Sequence, residues 1–409
     1  MQLQNKIKKY LSTLLLLFII VGQFGILFMN SGESGNISDN LNKPIAKPNK
    51  LKNSGYWSPD YIHIDNNWSQ AANLDWVQDG LGTWKDPFII ENVTIDAQTS
   101  GSCIFINNTD EYFIIRNCTL LNAQYSGDFS GIQLENVTNG MLIDCNFTEN
   151  SMGTNLRKSS NITIQENFIQ DSAGWGIRLY MSEKNFIFNN ELRRNGRYGI
   201  ILTSQSHNNT ILDNLIDNNQ HSSSGYGIYF TYIIFDNEIK GNRLINNHEG
   251  IRFSDQCDKN IIDGNNISDN SDYGVMIATD DRDSEDNLFY NNHFNNPDGM
   301  NAYDNGTNTM WDNGTIGNYW HDYDGVDADD DGIGDTAYAK IGGASGSMDR
   351  FPIWADGDDS KEDGDENNGT DDQGFIQELF DFFLSPIGLI IGLVAMIALI
   401  GLAIFLKRK

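Results

Sequence analysis

The carboxylates of residues 327–335 carry the most explicit chemistry in the chain. Asp327, Asp329 and Asp331 recur at alternate positions, Gly332 follows where the backbone must turn sharply, Ile333 can offer its carbonyl, and Asp335 can bind directly or through water. That order reproduces the first nine positions of a twelve-position calcium-binding loop, which wraps a hard cation in oxygen. Where such a loop needs a bidentate glutamate this chain has Tyr338, so a complete loop is excluded and the missing oxygens must come from elsewhere. Asp322, Asp324 and Asp349 are nearest in sequence. The seven carboxylates between Asp322 and Asp335 repel one another without a counter-ion, and the sequence predicts a structural Ca2+ here.

A second set of residues, Arg178, Tyr180, Tyr229 and Arg252, combines groups that contact sugars: tyrosine rings stack on sugar faces and arginine holds carboxylates in a fork. The four cysteines, Cys103, Cys118, Cys145 and Cys257, show no paired spacing for zinc. Cys118 and Cys145 lie about one repeat apart, but an offset of one residue turns alternate side chains oppositely, so buried thiols are expected.

What must position these residues is a repeat. Gly131, Gly153, Gly176, Gly199, Gly227, Gly250, Gly274 and Gly299 recur at intervals of 22 to 28 residues, each followed by alternating apolar positions such as Ile177 and Leu179 or Ile228 and Phe230. Spacers rich in Asn, Asp, Ser and Gly favour turns over helices, so the period predicts a parallel β-helix, each turn stacking on its neighbours. Alternation points the first and third positions after each glycine into the bore and the second, with Asn155, Arg178, Tyr229 and Arg252, outward. Asn146, Asn167, Asn190, Asn214, Asn242, Asn265 and Asn292 each follow an apolar residue by three places and form an expected inward Asn ladder. A second is expected through Asn195, Asn219, Asn247 and Asn270, interrupted by Ser172 and Pro297.

Residues 185–195 (NFIFNNELRRN), 209–219 (NTILDNLIDNN) and 260–270 (NIIDGNNISDN), with the terminal run 317–335 and its sequel 349–353 (DRFPI), resemble the NosD-like family of exported proteins. The resemblance covers roughly residues 56–353 and implies an all-β, right-handed, single-stranded parallel β-helix. It also raises a copper-handling role, although His63, His207, His221, His248, His293 and His321 fall in no common column.

The rest of the chain frames that solenoid. Residues 1–30 place Lys6, Lys8 and Lys9 before an apolar run and read as a signal peptide or signal anchor. Residues 31–55 read as a polar linker, 56–100 as the N-terminal cap, 101–308 as the coils and 309–354 as the C-terminal cap with its Asp-rich loop. Residues 355–380 form an acidic stalk, 386–406 give 21 residues without a charge, long enough to span a bilayer, and 407–409 are basic. The expectation is a single-pass membrane protein with an extracellular domain, or a two-pass one if the N-terminal segment is retained. Sequons such as Asn36, Asn146 and Asn368 admit glycosylation, with Asn146 shielded by the ladder. A net charge of −29 argues against nucleic-acid partners.

These readings converge on a cell-surface binding or structural module, stabilised by calcium and contacting polysaccharide through Arg178, Tyr180, Tyr229 and Arg252. No Asp or Glu recurs beside those four, which leaves catalytic residues unassigned. A polysaccharide lyase or glycosidase on the same fold is the alternative, and a copper accessory protein the second.

Overall fold

Each repeat folds into three short strands because its aliphatic residues come in three clusters separated by corner-forming Asn, Asp and Ser. In one coil the strands are Trp175–Tyr180, Phe186–Phe188 and Glu191–Arg193. The next coil lies parallel on it in register, pairing Ile177 with Ile200, Ile187 with Ile211 and Leu192 with Ile216. Repetition yields three sheets of ten strands each, wound as a parallel β-helix. This computed structural model describes residues 57–354, apart from 79, 220–224 and 279–281. The predicted signal segment, stalk, membrane helix and basic tail lie outside those residues. Among the described residues no helix is long and apolar enough to cross a membrane.

The bore is apolar. Ile177, Leu179, Ile187 and Leu192 are all 0% exposed, each contributing roughly 1.5–3 kcal/mol of transfer free energy. Corners carry a residue in the left-handed region, such as Asn189 at φ 53°, Asp213 at φ 53° and Gly241 at φ 61°, each immediately before a ladder asparagine. Asn and Asp tolerate that conformation better than other non-glycine residues. The column glycines have a different cause: a Cβ on Gly176 would lie 2.6 Å from the Gly199 carbonyl oxygen, so the wall leaves no room for one.

The buried asparagines thread the corners. The Nδ2 of Asn214 donates to the carbonyls of Ile187 and Leu212 and to Oδ1 of Asn242, while its own Oδ1 accepts from the backbone of Asn190. This first ladder runs from Asn167 to Asn318 and ends on a buried carboxylate, with the Asn318 backbone donating to Asp349. Its earlier rungs are sulfur. Cys145, not Asn146, accepts from the Cys118 backbone amide one coil earlier, because Leu142 and not Ile143 pairs with Ile164 and shifts the expected register by one residue. All four cysteines are buried free thiols.

The second ladder continues beyond Asn270 through Asn296, not Pro297, and ends on Asn301. The final coil is correspondingly shifted: Tyr273 pairs with Met300 and Val275 with Ala302, so Gly299 and Met300 leave the columns assigned to them and Met300 is 41% exposed. A third ladder, Asn185, Asn209, Asn237, Asn260 and Asn287, had not been expected.

Both ends of the solenoid are covered, as open sheet edges must be. At the start, the helical turn Trp68–Ala71 sets the Trp68 ring against Phe88 and Phe113 at 5.0 and 5.2 Å. At the finish, Trp311 stacks on Phe289 at 4.4 Å, and Trp320 lies between Phe294 and Tyr338 at 4.4 and 4.2 Å.

Candidate functional site

The outer face of the first sheet gathers the aromatic and cationic side chains. Gly176, Gly199 and Gly227 interrupt strict alternation, so the residue before each and the second residue after it both lie on the outer face. Tyr226 and Tyr229, on either side of Gly227, therefore bring their rings within 5.1 Å. The column before the glycines adds Trp175, Tyr198, Glu249 and Tyr273. Trp175 stacks on Tyr198 at 6.3 Å, Tyr198 on Tyr226 at 5.1 Å, and Tyr229 leans on Tyr198 at 5.0 Å. A continuous ring surface thus crosses three strands.

Arg178, Tyr180, Tyr229 and Arg252 all lie on this face, in two groups. Arg178 sits over Trp175 and Tyr180 at 5.1 and 5.0 Å, and its Nη1 meets Asp128 at 2.7 Å. Asp128 stands between the strands Thr119–Leu121 and Ile132–Val137 and also takes Arg157. The same loop covers Asn155: its Nδ2 donates to the Asp128 carbonyl at 2.9 Å and the residue is 0% exposed, so the outward position expected to be solvated is buried.

Arg252 forms the second group with Tyr226, Tyr229 and Glu249. Its Cζ lies 5.3 Å over the Tyr226 ring and its Nη1 2.8 Å from Oε1 of Glu249. A single carboxylate, Glu249, stands beside this face without recurring along its column. Burial pushes the Glu249 carboxyl up to about 7 despite Arg252. Sequence reasoning passed over the column immediately before the glycines. Its run of Trp175, Tyr198, Tyr226, Glu249 and Tyr273 was the available signal.

The acidic loop brings ligand atoms of Asp327, Asp329 and Asp331 within 4.8 Å of one another, the sole such group of His, Cys, Asp or Glu among the described residues. Asp327 accepts from the backbones of Asp331 and Gly332, Asp331 from Ile333, and Asp335 from Ala328. Mutual repulsion, chiefly from Asp331, raises the pKa of Asp329. Of the more distant carboxylates, Asp322 is engaged by Tyr338 and Asp349 closes the first ladder.

Softer donors are dispersed. His207 meets Glu183 at 2.9 Å, His248 lies 3.9 Å from Asp272, and His293 stacks on Tyr319 at 4.3 Å. Burial holds His293 down to about 4 and pushes the Cys103 thiol up to about 12. Such thiols are inert.

A separate concavity of about 240 Å³ opens beside Trp84, Tyr112, Asn139 and Asn161. Trp84 is 71% exposed at the tip of a turn closed by reciprocal backbone bonds between Thr83 and Asp86.

The family described as NosD, periplasmic copper-binding protein, matches residues 65–223 and 130–325. No curated protein matches the chain. Among solved structures, the enzymatically active domain of tailspike protein 2 from bacteriophage CBA120 aligns at 14% identity and TM-score 0.39, covering 51% of this chain and 34% of that one. This chain thus spans about a third of the length of that tailspike domain. The A-module of a mannuronan C-5 epimerase from Azotobacter vinelandii aligns at 14% identity and TM-score 0.37, with coverages of 64% and 83%. A DFA-IIIase from Arthrobacter chlorophenolicus aligns at 13% identity and TM-score 0.42, with coverages of 65% and 70%. No residue role passes from these proteins to this chain.

Proposed function

The chain belongs to the NosD family, and from that premise we propose that it acts outside the cytoplasm as a membrane-held β-helix that binds an extended glycan across the outer face of its first sheet. The observation that carries this reading is the ring surface of Trp175, Tyr198, Tyr226 and Tyr229, bordered by Arg178 with Tyr180 at one end and by Arg252 at the other. Rigid aromatic rings offer large contact area at little entropic cost, and neighbouring strands about 4.8 Å apart repeat that contact along a chain ligand. The uncharged run 386–406 is the proposed membrane anchor. Calcium is proposed at Asp327, Asp329 and Asp331, with Ile333 and Asp335 completing its coordination, as a tie for the C-terminal cap.

Copper does not fit the described residues. The thiols of Cys103, Cys118, Cys145 and Cys257 are buried, and the one close donor group consists of carboxylates, which suit hard cations rather than copper.

A glycan array tests the binding reading. Wild type is expected to retain a defined set of oligosaccharides that a Tyr229→Ala, Arg252→Ala double variant loses; identical profiles for the two proteins would refute it.

A further inference from the structure

Glu249 is a carboxyl held out of water inside the ring surface. Its side chain is 4% exposed and that of Arg252 19% exposed. Oε1 takes the ion pair from Arg252, while the buried Oε2 meets no hydrogen-bond donor. A carboxylate in that state lacks, at one of its two oxygens, the bonds that normally offset its removal from water. The groups around it come from four strands: Tyr198, then Tyr226 with Tyr229, then Arg252, then Tyr273, with His248 and Asp272 at the strand starts. Burial raises the hydroxyls of Tyr198, Tyr226 and Tyr273, Tyr226 to about 12, so the rings stay neutral near pH 7. Asp272 opposes ionisation of Glu249 and His248 favours it, both less than burial does.

Two charge states follow for one rigid surface. With Glu249 protonated, the pair carries the positive charge of Arg252 against the Tyr226 ring. With Glu249 ionised, that charge is offset at 2.8 Å. The net charge of −29 repels a polyanion at long range, so an acidic chain is held only where the local charge is reversed. We infer that Glu249 and Arg252 form a proton-gated receptor for a sugar carboxylate, so that the preferred ligand of this face is a uronate-bearing glycan, bound while Glu249 holds a proton and released when it ionises. The inference rests on reading this face as a glycan site. Arg252 supplies the fork that grips a carboxylate, and Glu249 is a positioning residue that sets the fork's effective charge. Its raised pKa of about 7 puts the gate near neutral pH.

The test is a binding titration of the whole protein with a uronate oligosaccharide and with a neutral one of equal length, at about pH 5.5, 7 and 8.5, across which a sugar carboxylate stays ionised. Wild-type affinity for the uronate is expected to fall about tenfold or more across that range, with the neutral ligand unaffected. Glu249→Gln should hold the acid-pH affinity throughout, and His248→Asn should follow wild type. A flat wild-type profile, a pH dependence that survives in Glu249→Gln, or one that disappears in His248→Asn overturns the gate. Binding of the neutral ligand alone defeats the inference and leaves the glycan face standing, whereas binding of neither defeats both. Should Glu249→Gln not fold, the wild-type and His248→Asn titrations still decide.

Discussion

Asn214 and Asn155 show what position does to one side chain. Asn214→Ala takes away the acceptor of the Asn190 backbone amide together with the amide bonds to the Ile187 and Leu212 carbonyls and to Asn242, so a loss of roughly 2–4 kcal/mol is expected in chemical denaturation. Asn155→Ala loses its bond to the Asp128 carbonyl, at about 1 kcal/mol. Equal losses would contradict this difference. Glu249 gives a pH signature. Its folded pKa of about 7 exceeds the ordinary carboxyl value, so its contribution is full below about pH 4.3 and is lost as pH rises to about 7. Glu249→Gln should therefore flatten the fall of melting temperature over that interval; an unchanged slope would show that Glu249 ionises without cost. At this scale the Asn214 ladder was legible from a three-residue step. The burial of Asn155 was not, because the cover arrives from a loop whose path no periodicity encodes.

Strands and corners explain why the sequence looks as it does. Asp144, Asp171, Asp213, Asp236 and Asp269 all occupy left-handed corner positions, so part of the negative charge follows from backbone geometry. The glycine column serves close packing, and Gly227→Ala would set a methyl 2.6 Å from the Gly250 carbonyl oxygen. A loss above about 2 kcal/mol is expected, and a neutral result in thermal melts would mean that the coils can part. Asp349 closes the first ladder by accepting from the Asn318 and Phe351 backbones and from Trp320 Nε1. Asp349→Asn turns donors toward donors and should destabilise by roughly 1–3 kcal/mol, read as earlier unfolding of the C-terminal coil in hydrogen exchange. The shift from Asn146 to Cys145 and the slip at Gly299 share one cause. In each the register follows from strand pairing, Ile164 with Leu142 and Val275 with Ala302, which is invisible in a single chain.

Across the whole molecule, two kinds of ion separate the account from the family's copper description. Calcium should raise the melting temperature and protect the chain near Gly325 from protease by binding the native state alone, whereas copper should do neither; the reverse result would overturn the assignment of Asp327, Asp329 and Asp331. His293 adds an opposing pH trend. Its folded pKa of about 4 lies below the ordinary value, so its contribution is complete above about pH 6.5 and is lost as pH falls toward about 4. The solenoid was legible from the glycine and asparagine periods, but the joining of Trp175, Tyr198, Tyr226 and Tyr229 into one surface depends on outward bends at Gly176, Gly199 and Gly227. The most direct test is a crystal soaked with an oligosaccharide that the array selects. Sugar rings are expected along Trp175, Tyr198, Tyr226 and Tyr229 with a polar contact to Arg252; sugar bound only elsewhere, as beside Trp84, would contradict a glycan site on this face.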